Sequence, residues 1–279
     1  MAVDVRLHAT MHSSGPARRF CAKRASRMTK RLQLLAVGIT VATAFSTPVA
    51  AQPPGLVVSV AASVYNALDE IAGFYRATTG VAVALNAGGS NTLARQIVEG
   101  AKAGLFLSAD EAQMDVVEKA GRVVPGTRTR LLTNELVVIA PLSRDDMTIT
   151  SLLQGKGTRI AMGDPAAVPA GVYARQWLQK QGQWKEVEPK VVPFPTVRGA
   201  LAAVEAERVD GGVVYRTDAM SARVRVIASI PKTLHPYLDI AYPVAVIAGP
   251  NEAEAKRFLE FLKGPQARAV FDRYGFGKP

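Results

Sequence analysis

Short, unbroken apolar runs alternate along this chain with longer stretches whose apolar residues recur every three or four positions. The runs at 56–61, 81–85, 104–107, 158–162, 190–194, 211–215 and 224–230 read as strands, those at 56–61 and 158–162 as buried ones. Between them, Val64, Leu68, Ile71 and Tyr75 mark one face of a helix that stops near Gly80. Leu93, Ala94 and Ile97 open a second that stops near Gly100, and a third is expected over 109–120. Val172, Ala174, Trp177 and Leu178 carry the helical period again, as do Val197, Leu201 and Val204, and helices over 251–262 and 265–274 close the chain. A polar connection at 145–157 holds a short helix with Leu152 and Leu153. Two runs are longer than an ordinary strand: 131–140, with Asn134-Glu135 in its middle and Pro141 at its end, and 240–248. Each is long enough to pass from one domain into another. The alternation predicts two doubly wound α/β lobes joined by crossing hinge strands, 55–138 with 244–279 and 139–243, and a ligand cleft beyond the carboxyl ends of the strands.

The loops at those carboxyl ends share a character. Gly163-Asp164-Pro165-Ala166-Ala167-Val168-Pro169-Ala170-Gly171 joins a strand to a helix, with Pro169 at the first helical position, where its missing N–H costs nothing. The helix start leaves free backbone N–H groups, that of Ala170 among them, and such a turn either does nothing more or holds an anion. Ser63, Ser90 with Asn91, and Thr196 before Val197 stand at three similar starts. The two serines and Asn91 can act as helix caps or offer their polar groups to a ligand docked on the same helix ends. Gly88-Gly89 would let the backbone come close to such a ligand.

Composition changes the picture chiefly by subtraction. Of the net charge of +11, residues 1–51 carry +7, leaving +4 for the rest, too little to call for nucleic acid. Those first residues read as an export leader. Thr29-Lys30-Arg31 precedes an apolar run of about 14 residues, and Pro48-Val49-Ala50-Ala51 supplies small residues for cleavage near Ala51-Gln52. Met28 stands where such a leader would begin. The lone cysteine, Cys21, precedes the apolar run, where it can be neither a lipid-attachment site nor part of the exported protein. Outside the leader His235 is the single histidine, expected in a surface loop. Cysteine nucleophiles, disulfides and thiolate metal sites are thereby excluded from the exported chain.

The ordered set of short segments resembles the molybdate-binding periplasmic component of an ABC transporter, a type II periplasmic binding protein, over 56–277. The segments are Ala61-Ala62-Ser63, Ser90-Asn91-Thr92-Leu93-Ala94-Arg95-Gln96-Ile97, Gly163-Asp164-Pro165 with Val168-Pro169-Ala170-Gly171, Val197-Arg198-Gly199-Ala200-Leu201, Val214-Tyr215 with Thr217-Asp218-Ala219, Tyr242-Pro243-Val244-Ala245-Val246 and Lys263-Gly264-Pro265-Gln266-Ala267. The resemblance implies that the hydroxyls of Ser63, Ser90 and Tyr215 and the backbone N–H groups of Ala170 and Val197 hold an oxyanion, molybdate or tungstate. It implies no direct metal ligation, no cofactor and no catalysis. It also implies a monomeric, periplasmic protein that delivers its ion to an inner-membrane permease and its ATPase. Gly104 departs from the family's usual aspartate, Gly88-Gly89 from a serine-rich approach, and Arg216 from a small residue. Two rivals remain: a binder of another tetrahedral oxyanion such as sulfate, and an exported phosphate or sulfate ester hydrolase. The hydrolase would need a general base near the loops, for which Asp164 and Asp218 are the adjoining carboxylates; both are equally expected in turn or cap roles.

Overall fold

The computed structural model describes residues 55–279; the leader, Met28 and the cleavage region lie outside them. Strand β1 (Leu56–Ala61) runs through a single turn of 3-10 helix into α1 (Tyr65–Thr79), which buries Leu68, Ile71 and Tyr75 and ends at Gly80 with φ of 76°. That left-handed stop is one glycine adopts without strain. Next come β2 (Val83–Gly88), α2 (Ser90–Val98), β3 (Leu105–Leu107), α3 (Glu111–Lys119) and β4 (Thr129–Thr133). After them β5 (Leu136–Pro141), α4 (Ile149–Gln154), β6 (Ile160–Gly163), α5 (Pro169–Lys180), α6 (Trp184–Val187), β7 (Val191–Phe194) and α7 (Val197–Glu205) follow. The chain closes with β8 (Gly211–Tyr215), α8 (Arg216–Ala219), β9 (Val224–Ile230), β10 (Ala241–Val246), α9 (Glu252–Lys263) and α10 (Pro265–Arg273).

Two five-stranded sheets result, in the orders β2-β1-β3-β10-β4 and β7-β6-β8-β5-β9. They repeat one plan. Three parallel strands are followed by an antiparallel fourth, β10 on β3 in the first sheet and β5 on β8 in the second. Strands β5, β8 and β10 are buried on both faces, as covered α/β sheets require, which is why they read as unbroken apolar runs.

The chain changes sheet twice. A continuous strand was expected over 131–140, but Asn134 and Glu135 interrupt it: β4 pairs with β10, while β5 pairs along its whole length with β9 and over Leu136–Ile139 with β8. The return falls between β9 and β10, at 231–240, and β10 pairs with the first sheet alone. The changes therefore sit a few residues from the 138/139 and 243/244 boundaries drawn from the sequence. Hydrogen bonding explains the first break. Asn134 N–H donates to the Ile240 carbonyl, beside the first sheet, and Arg216 N–H donates to the Glu135 carbonyl, at the end of the second. One peptide thus serves each sheet.

Candidate oxyanion site

Both sheets send the carboxyl ends of their parallel strands toward one small, narrow cleft. The residues beyond β1 supply Ser63, those beyond β2 supply Ser90, α5 and α7 supply Ala170 and Val197 from their first turns, and β8 ends at Tyr215. All five residues expected from the sequence line this cleft. Its walls otherwise consist of alanine, glycine, valine, proline and Thr196, with no charged side chain.

The helix starts are built locally. Pro169 is the first residue of α5, and Val172 N–H is the first to return to the preceding loop, at the Val168 carbonyl, 2.9 Å. The N–H groups of Ala170 and Gly171 are left over, as in the first turn of any helix. A Cβ on Gly171 would collide with the Gly163 carbonyl oxygen, so only glycine lets this helix abut the end of β6. In α7 the Thr196 hydroxyl caps by accepting from Gly199 N–H at 3.0 Å, which leaves the Val197 N–H for the cleft. Asp164 takes the turn role expected of it, accepting from Ala166 N–H at 2.9 Å.

The serines are not caps. Neither Ser63 nor Ser90 makes a capping bond. The Ser63 hydroxyl lies 3.0 Å from that of Tyr242, and the Ser90 hydroxyl accepts from Ala109 N–H at 2.9 Å. Tyr215 is 1% exposed, and its hydroxyl has no hydrogen-bond partner. Burial holds its pKa well above the ordinary phenol value, so it is a neutral hydroxyl with a proton to give. An unmet buried polar group of this kind costs about 1–3 kcal/mol until something accepts from it.

The two halves already meet around the cleft. A Cβ on Gly89 would fall 2.7 Å from the Pro195 carbonyl oxygen, so this glycine allows the close approach of β2's end to the β7 side. Arg198 on α7 reaches across to the Ser63 carbonyl at 3.5 Å while its Nε lies 2.7 Å from Asp218. Asp218 is therefore an ion-pair partner and not a cap: burial pushes its pKa up to about 6, against the pull of Arg198. At Gly104 the side chain of Leu56 fills the place an aspartate would need, its Cδ1 overlapping the position of any Cβ there. Arg216 is exposed, outside the cleft, and His235 is half-buried beside Tyr237.

A family described as bacterial extracellular solute-binding protein matches residues 56–277. The chain belongs to that family. Among its members, the molybdate-binding protein ModA of Escherichia coli is 45% identical over 230 residues, covering 79% of this chain and 88% of its own. The ModA of Haemophilus influenzae is 35% identical over 78% of this chain and 88% of its own. The periplasmic molybdate-binding protein of Azotobacter vinelandii superposes with a TM-score of 0.71 at 26% identity, covering 80% of this chain and 99% of its own. The doubly wound α/β domains expected from strand–helix alternation, and the two-lobe solute-binding fold that the resemblance implied, are thus the fold of this chain.

Four residues around this cleft were given no role by the sequence: Asn134 and Asp110, and Tyr242 and Arg198, which lie inside the resembling segments. Asn134 carried a signal, being polar inside an apolar run. Asp110 is 6% exposed beside Ala109 and caps α3 through Gln113 N–H; burial pushes its pKa up to about 6. Among the described residues no group of three or more His, Cys, Asp or Glu side chains is placed to hold a metal ion. No helix among them is long and apolar enough to cross a membrane.

Proposed function

We propose that this chain binds molybdate, and tungstate with it, as a tetrahedral dianion held by the hydroxyls of Ser63, Ser90 and Tyr215 and the N–H groups of Ala170 and Val197. The observation that carries this reading is the Tyr215 hydroxyl, fully buried and without a partner in a cleft that otherwise offers neutral donors. A dianion satisfies that hydroxyl and the leftover N–H groups together, in a dry place where charge-assisted bonds are strong. Relatives whose names state molybdate binding supply the choice of ion. The protein acts as a periplasmic monomer that passes its ion unchanged to an inner-membrane permease and its ATPase. Its two sheets, 55–133 with 241–279 and 136–230, move as lobes about Asn134–Glu135 and 231–240. No hydrolysis is proposed, because the adjoining carboxylates are engaged: Asp164 with Ala166 N–H and Asp218 with Arg198.

Calorimetric titration of the exported form with molybdate, tungstate, sulfate and phosphate tests the reading. Molybdate and tungstate should bind one to one and alike, sulfate far more weakly because it is too small to reach every donor, and phosphate least. Sulfate binding as tightly as molybdate would move the assignment to a general sulfate binder.

A further inference from the structure

Asn134 stands where the chain leaves the first sheet for the second, and its side chain is tied at three points. Its Oδ1 accepts from Glu135 N–H at 2.9 Å, which settles the direction of the amide, since a flipped amide would set donor against donor. The Nδ2 protons then go to the Thr217 hydroxyl at 2.9 Å and the Tyr242 hydroxyl at 3.1 Å.

Tyr242 is 0% exposed, and its hydroxyl has two neighbours, Asn134 Nδ2 and Ser63 Oγ at 3.0 Å. The amide nitrogen can only donate. Ser63 Oγ is therefore the one partner able to accept the phenolic proton, and burial keeps that proton in place by driving the Tyr242 pKa far up. In the reverse arrangement, with Ser63 donating to Tyr242, the phenolic proton would be stranded in a dry interior. Ser63 thus accepts from Tyr242 and keeps its own proton for the cleft that it lines.

We propose that Asn134 and Tyr242 form a relay that holds Ser63 as a donor, so that the site favours oxyanions without a proton over equally charged oxyanions that carry one. The proposal rests on the oxyanion reading above and names the two positioning residues that give it selectivity. To accept from a protonated ligand in place of donating to it, Ser63 would have to turn its own proton away from the anion or strand that of Tyr242. No carboxylate lines the cleft to take the ligand's proton, and the Ser90, Thr196 and Tyr215 hydroxyls, which can accept as well as donate, are the same in wild type and in the variants below, so the relay's effect is read as a change in preference.

Sulfate and hydrogen phosphate are the probes, being alike in size and charge at pH 8 and differing in one proton. Each is titrated in competition with molybdate at fixed ionic strength, on the wild-type exported protein and on two variants. In Asn134→Asp the new carboxylate accepts from Tyr242, so Ser63 donates to Tyr242 and shows lone pairs to the cleft. The phosphate-to-sulfate affinity ratio should rise about tenfold, the size of one buried proton gaining a partner. Tyr242→Phe frees the serine without reversing it, and the ratio should rise about threefold. Any penalty from the negative charge that Asn134→Asp introduces falls on both dianions and cancels in the ratio. An unchanged ratio in both variants, with all anions weakened equally, overturns the relay and leaves only a packing role. Should Asn134→Asp fail to fold, an unchanged ratio in Tyr242→Phe alone decides against it. A wild-type protein that does not bind molybdate overturns the oxyanion reading itself, a result distinct from either.

Discussion

Two cavities lie near the crossing at Asn134, one lined by it and the other reached from it through Tyr242 and Ser63, and they make their polar groups available in opposite ways. The larger is lined by Arg130, Glu135, Arg216, Lys232, Asp239 and Lys278 among others; the smaller has no charged wall at all. By charge alone the first would be taken for the anion site. Yet two of its four cations have found partners, and the other two, Arg216 and Lys278, are exposed to water: Arg130 lies 2.6 Å from Glu111 and 2.8 Å from Asp239, and Lys232 lies 2.6 Å from Asp239. Such partly exposed pairs are screened by water and gain little from a further ion. In the smaller cavity the donors are neutral, buried and unmet, so an arriving dianion meets groups with no competing bond. Availability of donors, not the number of charges, separates a binding site from a charged surface.

Replacing donors in the small cleft should do the most to break or uphold this contrast. Ser90→Ala and Tyr215→Phe should each weaken molybdate by about 1–3 kcal/mol, the range for a hydrogen bond to a charged group. Tyr215→Phe should do so without loss of unliganded stability, within about 0.5 kcal/mol by urea melt, because the hydroxyl it removes has no protein partner. Wild-type affinity in both variants would place the anion elsewhere.

Carboxylates near the two cavities should part on acidification. Lys232 and Arg130 hold Asp239 below the usual carboxylate range, whereas Asp110, beside the neutral cleft, is pushed up to about 6 by burial. A raised carboxyl pKa means the folded protein binds the proton more readily than the unfolded chain. Asp110 therefore subtracts stability as pH rises from about 4 to 6 and relieves it as pH falls through that window; Asp239 contributes stability that is lost only below its ordinary range. Asp110→Asn, which keeps a capping side chain, should gain stability over wild type between pH 4 and 7, on the order of 3 kcal/mol at most. A gain that does not vary with pH would show that Asp110 is not the titrating group.

The smallest effect is expected in the large cavity. Arg216→Gln should change molybdate affinity less than about twofold at 0.15 M salt, where the screening length is about 8 Å. A tenfold loss there would mean that the charged cavity reaches the ion after all.

Elements that depend on a continuous apolar run were legible residue by residue. The spans 56–61 and 211–215 are β1 and β8 as expected, since burial in a covered sheet demands such runs, and 224–230 is β9, an edge strand that is only half-buried. The break at Asn134–Glu135 was not legible, because apolar residues on both sides serve two different sheets and only pairing partners tell them apart. The positions of the five cleft residues followed from helix starts and from the ordered motifs. The state of their hydroxyls did not: whether a serine caps its own helix or answers a residue 179 positions away is a question of packing.

The sequence by itself determined the class of fold, the two-lobe plan and the places where strands hand over to helices, because periodicity and helix-start chemistry act over a few residues. The tertiary structure alone decided that Ser63 meets Tyr242, that Asp218 meets Arg198 and that Tyr215 is left without a partner. Hydrogen-bond direction is set by whichever groups the fold encloses together, and no local pattern carries that information.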